Sequence, residues 1–112
     1  MRTHALQLAT KPFTDISGGN KVIESRLYDQ KRQLIELGDT IVFTNRHQPD
    51  QTITVEVTGL LVYKTFYDLF NSNLPNKFGG PNVAWLLDQI HKFYSLADEA
   101  QNGVVGIQFK VI

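Results

Sequence analysis

Three charged residues, Lys21, Glu24 and Arg26, have types and spacing that could bind an anion or move a proton. Side chains two apart on a strand project from one face, about 6–7 Å apart along the chain, so Glu24 and Arg26 would share a face. Ile23 and Leu27 would then enter the core, and the flexible Lys21 side chain could reach Glu24. The alternative is a solvated strand face with weak ion pairs, each worth at most about 1 kcal/mol. Spacing alone favours that alternative.

Aromatic side chains form a second group that could contact a ligand. Exposed rings beside cations stack on the bases of single-stranded nucleic acids, at about 1–3 kcal/mol per base. Helical spacing instead assigns most rings to the core, and we predict that Phe66, Phe70 and Phe93 are buried. Tyr28 and Tyr94 lie at the ends of predicted elements, so they are the better candidates for the wall of a site.

The composition excludes several classes of function. The chain has 112 residues with 11 basic and 11 acidic side chains, which fits neither a basic protein that coats nucleic acids nor an acidic tail. It has no cysteine, which excludes disulfides, thiol catalysis and Cys-based metal sites. Motifs for phosphate-binding loops, nucleophile elbows and zinc helices are missing. Because His4, His47 and His91 are far apart in sequence, we expect isolated surface histidines, no metal and no cofactor.

The sequence also bears on location and domain count. The longest apolar run, residues 59–63, is far shorter than a membrane span, and residues 1–9 lack the apolar stretch of a secretory signal. We therefore predict a soluble cytoplasmic protein with no membrane partner. Its length suits one domain over residues 1–112. The oligomeric state, monomer or weak dimer, stays open.

The pattern of strands and turns indicates which elements hold the candidate residues. We predict strands at residues 4–8, 21–28, 40–45, 52–63 and 104–112. The clearest alternation is that of Ile53, Val55 and Val57 with polar residues, typical of an antiparallel strand with one buried face. It breaks at Gly59, which predicts a β-bulge or a barrel bend.

Helical segments are predicted at residues 10–16, 65–70, 83–94 and 96–100. Thr10, Thr65 and Ser95 are candidate N-caps, and Gly18–Gly19 ends the first helix. Most of the helices fall between the fourth and fifth strands. The sequence therefore predicts a mainly-β α+β domain, and a small closed β-barrel carrying short helices leaves no exposed sheet edge.

Several motifs follow one another along nearly the whole chain. They are Pro12-Phe13 at the start of the first helix, G-x-K-x-x-E-x-R at residues 19–26, GD-x-I-x-F at residues 38–43, and the segments at residues 63–69, 93–95 and 103–107. In this order they resemble the ASCH family, the activating-signal-cointegrator homology domains of the PUA-like superfamily of β-barrels.

The resemblance implies a cleft between strands and inserted helices, lined by Lys21, Glu24 and Arg26, and a role with RNA or nucleotides. Some similar bacterial members hydrolyse the acetyl amide of N-acetylcytidine, and ribonuclease activity has been attributed to others. Those amidohydrolases use a lysine, a threonine three residues later and a glutamate after the first inserted helix. Lys21 matches the lysine, but Glu24 stands at the threonine position and residues 71–82 contain no acidic side chain.

Binding of RNA or a nucleotide is the first function that we consider. Lys21 and Arg26 would contact phosphate or a base edge, and Glu24 would orient them or accept from an exocyclic amine. Tyr94 or Tyr28 would stack on a base. The matched segment at residues 93–95 adds Ser95 to the predicted binding residues.

Two other functions stay open. One is a small hydrolase of a modified nucleoside or of RNA, in which a desolvated, neutral Lys21 acts as general base beside Glu24. The other is a protein-interaction module. Residues 1–64 contain eight Lys/Arg and seven Asp/Glu, so recognition of RNA would rest on a few charges. We therefore expect a single nucleotide or a flipped base as ligand, with a shallow salt dependence.

Overall fold

Five strands form one mixed sheet in the computed structural model of the protein, which describes residues 1–112. They are β1 (Thr3–Leu8), β2 (Ile23–Leu27), β3 (Thr40–Asn45), β4 (Gln48–Tyr63) and β5 (Val104–Val111). Their order in the sheet is β1-β3-β4-β5-β2, in which β1 and β3 are parallel and all other pairs antiparallel. The sheet curls into a half-barrel, and the predicted mainly-β α+β class is confirmed.

The two edge strands, β1 and β2, lie on either side of the open part of the half-barrel, with no ladder between them. A side chain spans the gap instead, because Arg26 Nη2 donates to the carbonyl of Gln7 at 2.8 Å. The predicted closure of the barrel is therefore not made by backbone hydrogen bonds. The two edges are instead separated by a cleft. Gln7 and Leu8 from β1 and Glu24 and Arg26 from β2 line it.

Most helices lie in the connection between β4 and β5, as the sequence predicts. This connection contains α2 (Phe66–Asn71), a 3-10 helix (Pro75–Phe78), α3 (Val83–Ile90) and α4 (Leu96–Asn102). The remaining two are α1 (Thr10–Ser17), between β1 and β2, and a 3-10 helix (Arg32–Leu34) after β2. No helix has the length and apolar character needed to cross a bilayer.

The predicted caps are confirmed for α2 and α4. The hydroxyl of Thr65 accepts from the N–H of Asp68, and Ser95 forms a reciprocal capping box with Asp98. The expected cap of α1 is wrong, because the N-cap is Ala9 and the Thr10 hydroxyl donates to Asn45 instead.

The bulge predicted at Gly59 is confirmed, since the register of β4 against β5 shifts between Val57 and Gly59. Before the shift β4 pairs mainly with β3, and after it β4 pairs with β5. The irregularity thus lets one long strand take part in both halves of the curled sheet.

Two hydrophobic clusters stabilise the fold. The first joins α1 to the strands and includes Phe43, which contacts Phe109 edge-on at 5.4 Å between ring centroids. The second joins β2 and β5 to α2, α3 and the 3-10 helix between them, with Phe66 and Phe70 at its centre. This second cluster fixes the inserted helices relative to β2.

The helix predicted at residues 83–94 ends at Ile90, and the predicted burial of Phe93 is wrong. The chain leaves the helix in a turn in which the N–H of Phe93 donates to the Ile90 carbonyl. Phe93 is 68% exposed, because this turn carries its ring off the buried face of the helix.

The expectation that the histidines are isolated is wrong for two of the three. Nε2 of His4 lies 2.8 Å from Asp39, and Nε2 of His91 lies 3.0 Å from Glu99. Both carboxylates are buried, so each histidine provides a polar partner that the sequence spacing does not reveal.

Candidate functional site

A cleft of about 590 Å³ opens between the edge strands and the inserted helices. Small-molecule sites typically have roughly 300–1,000 Å³, so its volume suits a ligand of that size. One wall is charged and contains Lys21, Glu24 and Arg26. A second part of the lining, the aromatic wall, comes mostly from α3 and the turn after it.

The position of Lys21 is set by two glycine-containing turns. After α1, Gly19 has a φ of +79°, and the N–H groups of Asn20 and Lys21 donate to the Asp15 carbonyl at 2.8 and 3.2 Å. The Lys21 side chain then passes Gly79, whose φ is +84°. A methyl group at Gly79 would lie 3.3 Å from Lys21 Cβ. The absence of a side chain there lets the lysine enter the cleft.

We expect Gly79→Ala to destabilise the protein more than Gly19→Ala. Both positions have positive φ, so alanine at either costs about 1 kcal/mol or more in backbone strain. Only the methyl at Gly79 would press on Lys21, since nothing lies within 4 Å of one at Gly19. Urea unfolding of both variants measures the difference. Equal losses in the free energy of unfolding would contradict a role for the contact with Lys21.

Glu24 lies between the two cations. Its Oε1 is 2.8 Å from Lys21 Nζ, and its Oε2 is 2.7 Å from Arg26 Nε. Only 6% of the Glu24 side chain is exposed, against 13% for Lys21 and 14% for Arg26. The interpretation as a solvated strand face is therefore wrong. We call these three residues the charged triad.

Burial and ion pairing act in opposite directions on the pKa values of the charged triad. Desolvation raises the pKa of Glu24, but the charges and hydrogen bonds of Lys21 and Arg26 together outweigh it and lower the pKa to about 2. Burial also opposes ionisation of Arg26, yet Glu24 and, more weakly, Tyr94 raise the pKa of its guanidinium. Glu24 and Arg26 are thus both ionised at neutral pH.

The charged triad contains one positive charge more than its carboxylate neutralises. Each Glu24 oxygen already contacts one cation. Arg26 uses Nε for Glu24 and Nη2 for the Gln7 carbonyl, and the side chain of Tyr94 also contacts its guanidinium. A largely buried cation without full compensation is costly, so this wall favours an anionic or strongly accepting ligand group.

The rim of the cleft adds further charge. Lys11 pairs with Asp15 at 2.8 Å, whereas Arg46 is exposed and has no ion pair. In total, four cations and two carboxylates line the cleft, which leaves an excess of two positive charges. The rest of the chain must be correspondingly negative, because the whole chain has no net charge.

The aromatic wall combines one supported ring with two more exposed ones. The ring of Tyr94 stacks on buried Phe66, with 5.9 Å between centroids and 17° between planes. Trp85 and Phe93 extend the wall and are the more exposed members. Flat apolar surfaces therefore share the cleft with the cations, and Tyr94 lies next to Arg26, an arrangement that suits a ligand with both a planar ring and an anionic or carbonyl group.

Four of the six predicted site residues line this cleft: Lys21, Glu24, Arg26 and Tyr94. The structure does not bring the other two there. Tyr28 packs against the cluster between α1 and the sheet, and the Ser95 side chain is engaged in capping α4.

Other cleft residues were not among the predicted ones. Trp85, Gln89 and Phe93 all line the cleft, and their four-residue spacing was a signal that the sequence contained. The apolar stripe beside it defines the buried face of α3 and is the stronger pattern. Arg46, at the end of β3, reaches the cleft only through the order of strands in the sheet, which has no local sequence signal.

Comparisons with known proteins agree with this architecture. The family model for the ASCH domain matches residues 6–112. The structure is similar to the crystal structure of hypothetical protein PH0355, with a TM-score of 0.86, 29% identity and 100% of each chain covered. It is also similar to the solution structure of protein PF0455 from Pyrococcus furiosus, with a TM-score of 0.76, 28% identity, and 100% of this chain and 98% of that one covered. An ASCH domain from Lactobacillus crispatus shares the fold, with a TM-score of 0.63, 19% identity and coverages of 98% and 79%. No curated protein matches the sequence.

Proposed function

The chain belongs to the ASCH domain family, which is generally associated with RNA binding, and on this basis we propose that it binds a nucleotide or a single unpaired RNA base in its cleft. The resemblance found in the sequence is confirmed at the level of the family. The ligand and the residues that bind it are what we propose.

One observation carries the proposal: an incompletely neutralised, largely buried pair of cations shares the cleft with an aromatic wall. Lys21 and Arg26 share the single carboxylate of Glu24, and Tyr94 is close enough to Arg26 to affect the pKa of its guanidinium. Phosphates and base carbonyls accept from such cations, while base rings stack on aromatic faces. A nucleotide has both features in one small molecule.

Each residue then has a distinct role. Lys21 and Arg26 donate to phosphate or to base oxygens, because together they carry one positive charge more than Glu24 neutralises. Glu24 orients the cations, since each of its oxygens is already engaged. Of the two candidate tyrosines, we assign stacking to Tyr94, because it lines the cleft and Phe66 supports its ring.

The same geometry favours binding over hydrolysis. A general base needs a free lone pair, and the Lys21 ammonium in its ion pair with Glu24 has none. A pure protein-interaction module is also less favoured, because the three charged side chains converge on one cleft and do not point separately into solvent.

Titration of the protein with 5′-mononucleotides and short single-stranded RNAs tests the proposal. Trp85 is the only tryptophan and lines the cleft, so its fluorescence should change as the site fills. We expect Lys21→Ala with Arg26→Ala to weaken binding at least tenfold, since hydrogen bonds to charged groups contribute about 1.5–3 kcal/mol each. Because few charges take part, a plot of the logarithm of the binding constant against the logarithm of salt concentration should have a slope of only about −1 to −2.

Two further variants control for folding and for general charge. Lys21→Met, Glu24→Gln and Arg26→Met together remove the charges without leaving a buried carboxylate unpaired, so this triple variant should fold and still not bind. Lys92→Met removes an exposed cation that does not line the cleft and should bind as wild type does. Failure of wild type to bind any of these ligands, or equal binding by the triple variant, would overturn the proposal.

A further inference from the structure

The cleft-facing side of α3 has an aromatic, an amide and another aromatic side chain at four-residue intervals. Trp85 and Gln89 lie on the helix, and Phe93 lies in the turn that continues it, where its N–H donates to the Ile90 carbonyl at 3.1 Å. All three line the cleft. The amide therefore lies between two rings on which a planar ligand can stack.

The side chain of Gln89 has no hydrogen-bond partner within the protein, although the residue is half-buried. Nearby polar side chains are engaged: Asn82 accepts from the N–H of Trp85, and His91 contacts Glu99. Gln89 is thus free to use both its carbonyl and its NH₂ group on a ligand.

The charged wall offers a base only hydrogen-bond donors. Lys21 and Arg26 offer only donors, and the oxygens of Glu24 are occupied. Donors alone bind phosphate and base carbonyls, but they make no favourable contact with the amino groups of adenine and cytosine. An amide presents an acceptor next to a donor, which is the pattern that side chains such as Asn and Gln use to pair with base edges.

From this arrangement we infer that Gln89 determines which base the cleft accepts, by hydrogen bonding its amide to the edge of a base stacked on the aromatic wall. The inference rests on the proposed function and deepens it, because it assigns a specificity-determining residue to the nucleotide site. Phosphate or carbonyl groups of the same ligand would contact Lys21 and Arg26.

Calorimetric titration of wild type, Gln89→Met and Gln89→Glu with the four ribonucleoside 5′-monophosphates tests this role. Methionine keeps the volume but removes both hydrogen-bonding groups, so we expect the spread of Kd among the four nucleotides to shrink about tenfold. Glutamate offers acceptors only. Where it contacts the exocyclic group at C4 or C6, it should therefore raise the Kd ratio of UMP to CMP, or of GMP to AMP, about tenfold relative to methionine. There a carbonyl in UMP and GMP is an amino donor in CMP and AMP.

Ratios of Kd between nucleotides separate base recognition from a structural effect. A general loss of affinity changes every Kd by the same factor and cancels in the ratio. Gln101, an exposed glutamine on α4, is the matched control, and its Met and Glu variants should leave every ratio unchanged. If wild type binds nucleotides but the Gln89 variants keep its ratios, the inference fails and the proposed function stands. If wild type binds none of them, both fail.

Discussion

Glu24→Ala is expected to lower the free energy of unfolding by about 3–5 kcal/mol at pH 7, because removing one partner of a buried ionic group leaves the other charges uncompensated. Lys21 and Arg26 would then lie largely buried with no carboxylate between them. Urea unfolding at neutral pH measures the loss. A decrease below about 1 kcal/mol, the magnitude typical of surface ion pairs, would contradict the buried geometry.

Glu24→Gln separates the charge of this residue from its volume. A pKa lowered from its ordinary value of 4.5 to about 2 corresponds to about 3 kcal/mol of stability from the ionised form. The folded-state pKa lies below the unfolded one, so this stability is present above pH 4.5 and is lost as the pH falls towards 2. We expect the free energy of unfolding of wild type to exceed that of Glu24→Gln by about 3 kcal/mol at pH 7. The two values should approach each other near pH 2, as measured by urea unfolding across this pH range.

The comparison with Glu24→Gln is needed because a second buried carboxylate also responds to acid. The hydrogen bond from His4 lowers the pKa of Asp39 to about 2, with further contributions from the backbone N–H groups of Glu36 and Arg2. Wild type and variant share Asp39, so its effect cancels in the difference between them. If the free energies of unfolding of the two proteins change in parallel with pH, Glu24 is not a source of acid sensitivity.

Phe66→Ala should be comparably destabilising, by about 3–5 kcal/mol, and should also weaken ligand binding. Phe66 is fully buried and stacks on Phe70 at 5.8 Å and on Tyr94 at 5.9 Å between centroids. A cavity behind Tyr94 frees its ring to move, so a stacked base loses a fixed surface. Chemical unfolding gives the first effect, and nucleotide titration under conditions where the variant stays folded gives the second.

Phe43→Ala is the matched control for this prediction. Phe43 is equally buried and contacts Phe109 at 5.4 Å, but it belongs to the other hydrophobic cluster and does not line the cleft. Its replacement should cost similar stability with little change in nucleotide affinity. If both variants lose nucleotide affinity equally, the loss reflects general destabilisation. The prediction that Phe66 specifically supports the ring of Tyr94 is then wrong.

Local patterns were sufficient to predict most elements of the fold. Alternation with period two located β4, and the break in alternation located its bulge at Gly59, because both depend on residues adjacent in sequence. Thr65 and Ser95 were recognisable as caps for the same reason. The open side of the half-barrel was not predictable in this way, since it depends on pairing between distant strands.

The errors also have physical causes. Phe93 continued an apolar helical pattern, but the helix ends at Ile90 and the ring turns outward. The partners of His4 and His91 are 35 and 8 residues away, and such pairs form only when the sheet and helices are assembled. Tertiary contacts decided these positions, not propensity.

The candidate site was partly predictable. Spacing placed Glu24 and Arg26 on one face of β2, and the structure shows them paired. Their burial was not predictable from spacing, which favoured a solvated face, because it comes from residues far along the chain. The N–H of Val22 donates to the carbonyl of Lys77 at 2.9 Å, a contact that brings the 3-10 helix at Pro75–Phe78 against the start of β2.

Strand β2 pairs with β5 and with no other strand, which has a consequence for folding during translation. β2 is an edge strand, and Glu24 lies opposite Ile107 in the ladder that holds it. Although the charged triad is translated early, it has no strand to pair with until residues 104–111 have left the ribosome. The cleft therefore assembles only after translation of the last strand, and a nascent chain that stops before β5 holds Lys21, Glu24 and Arg26 without a ligand site.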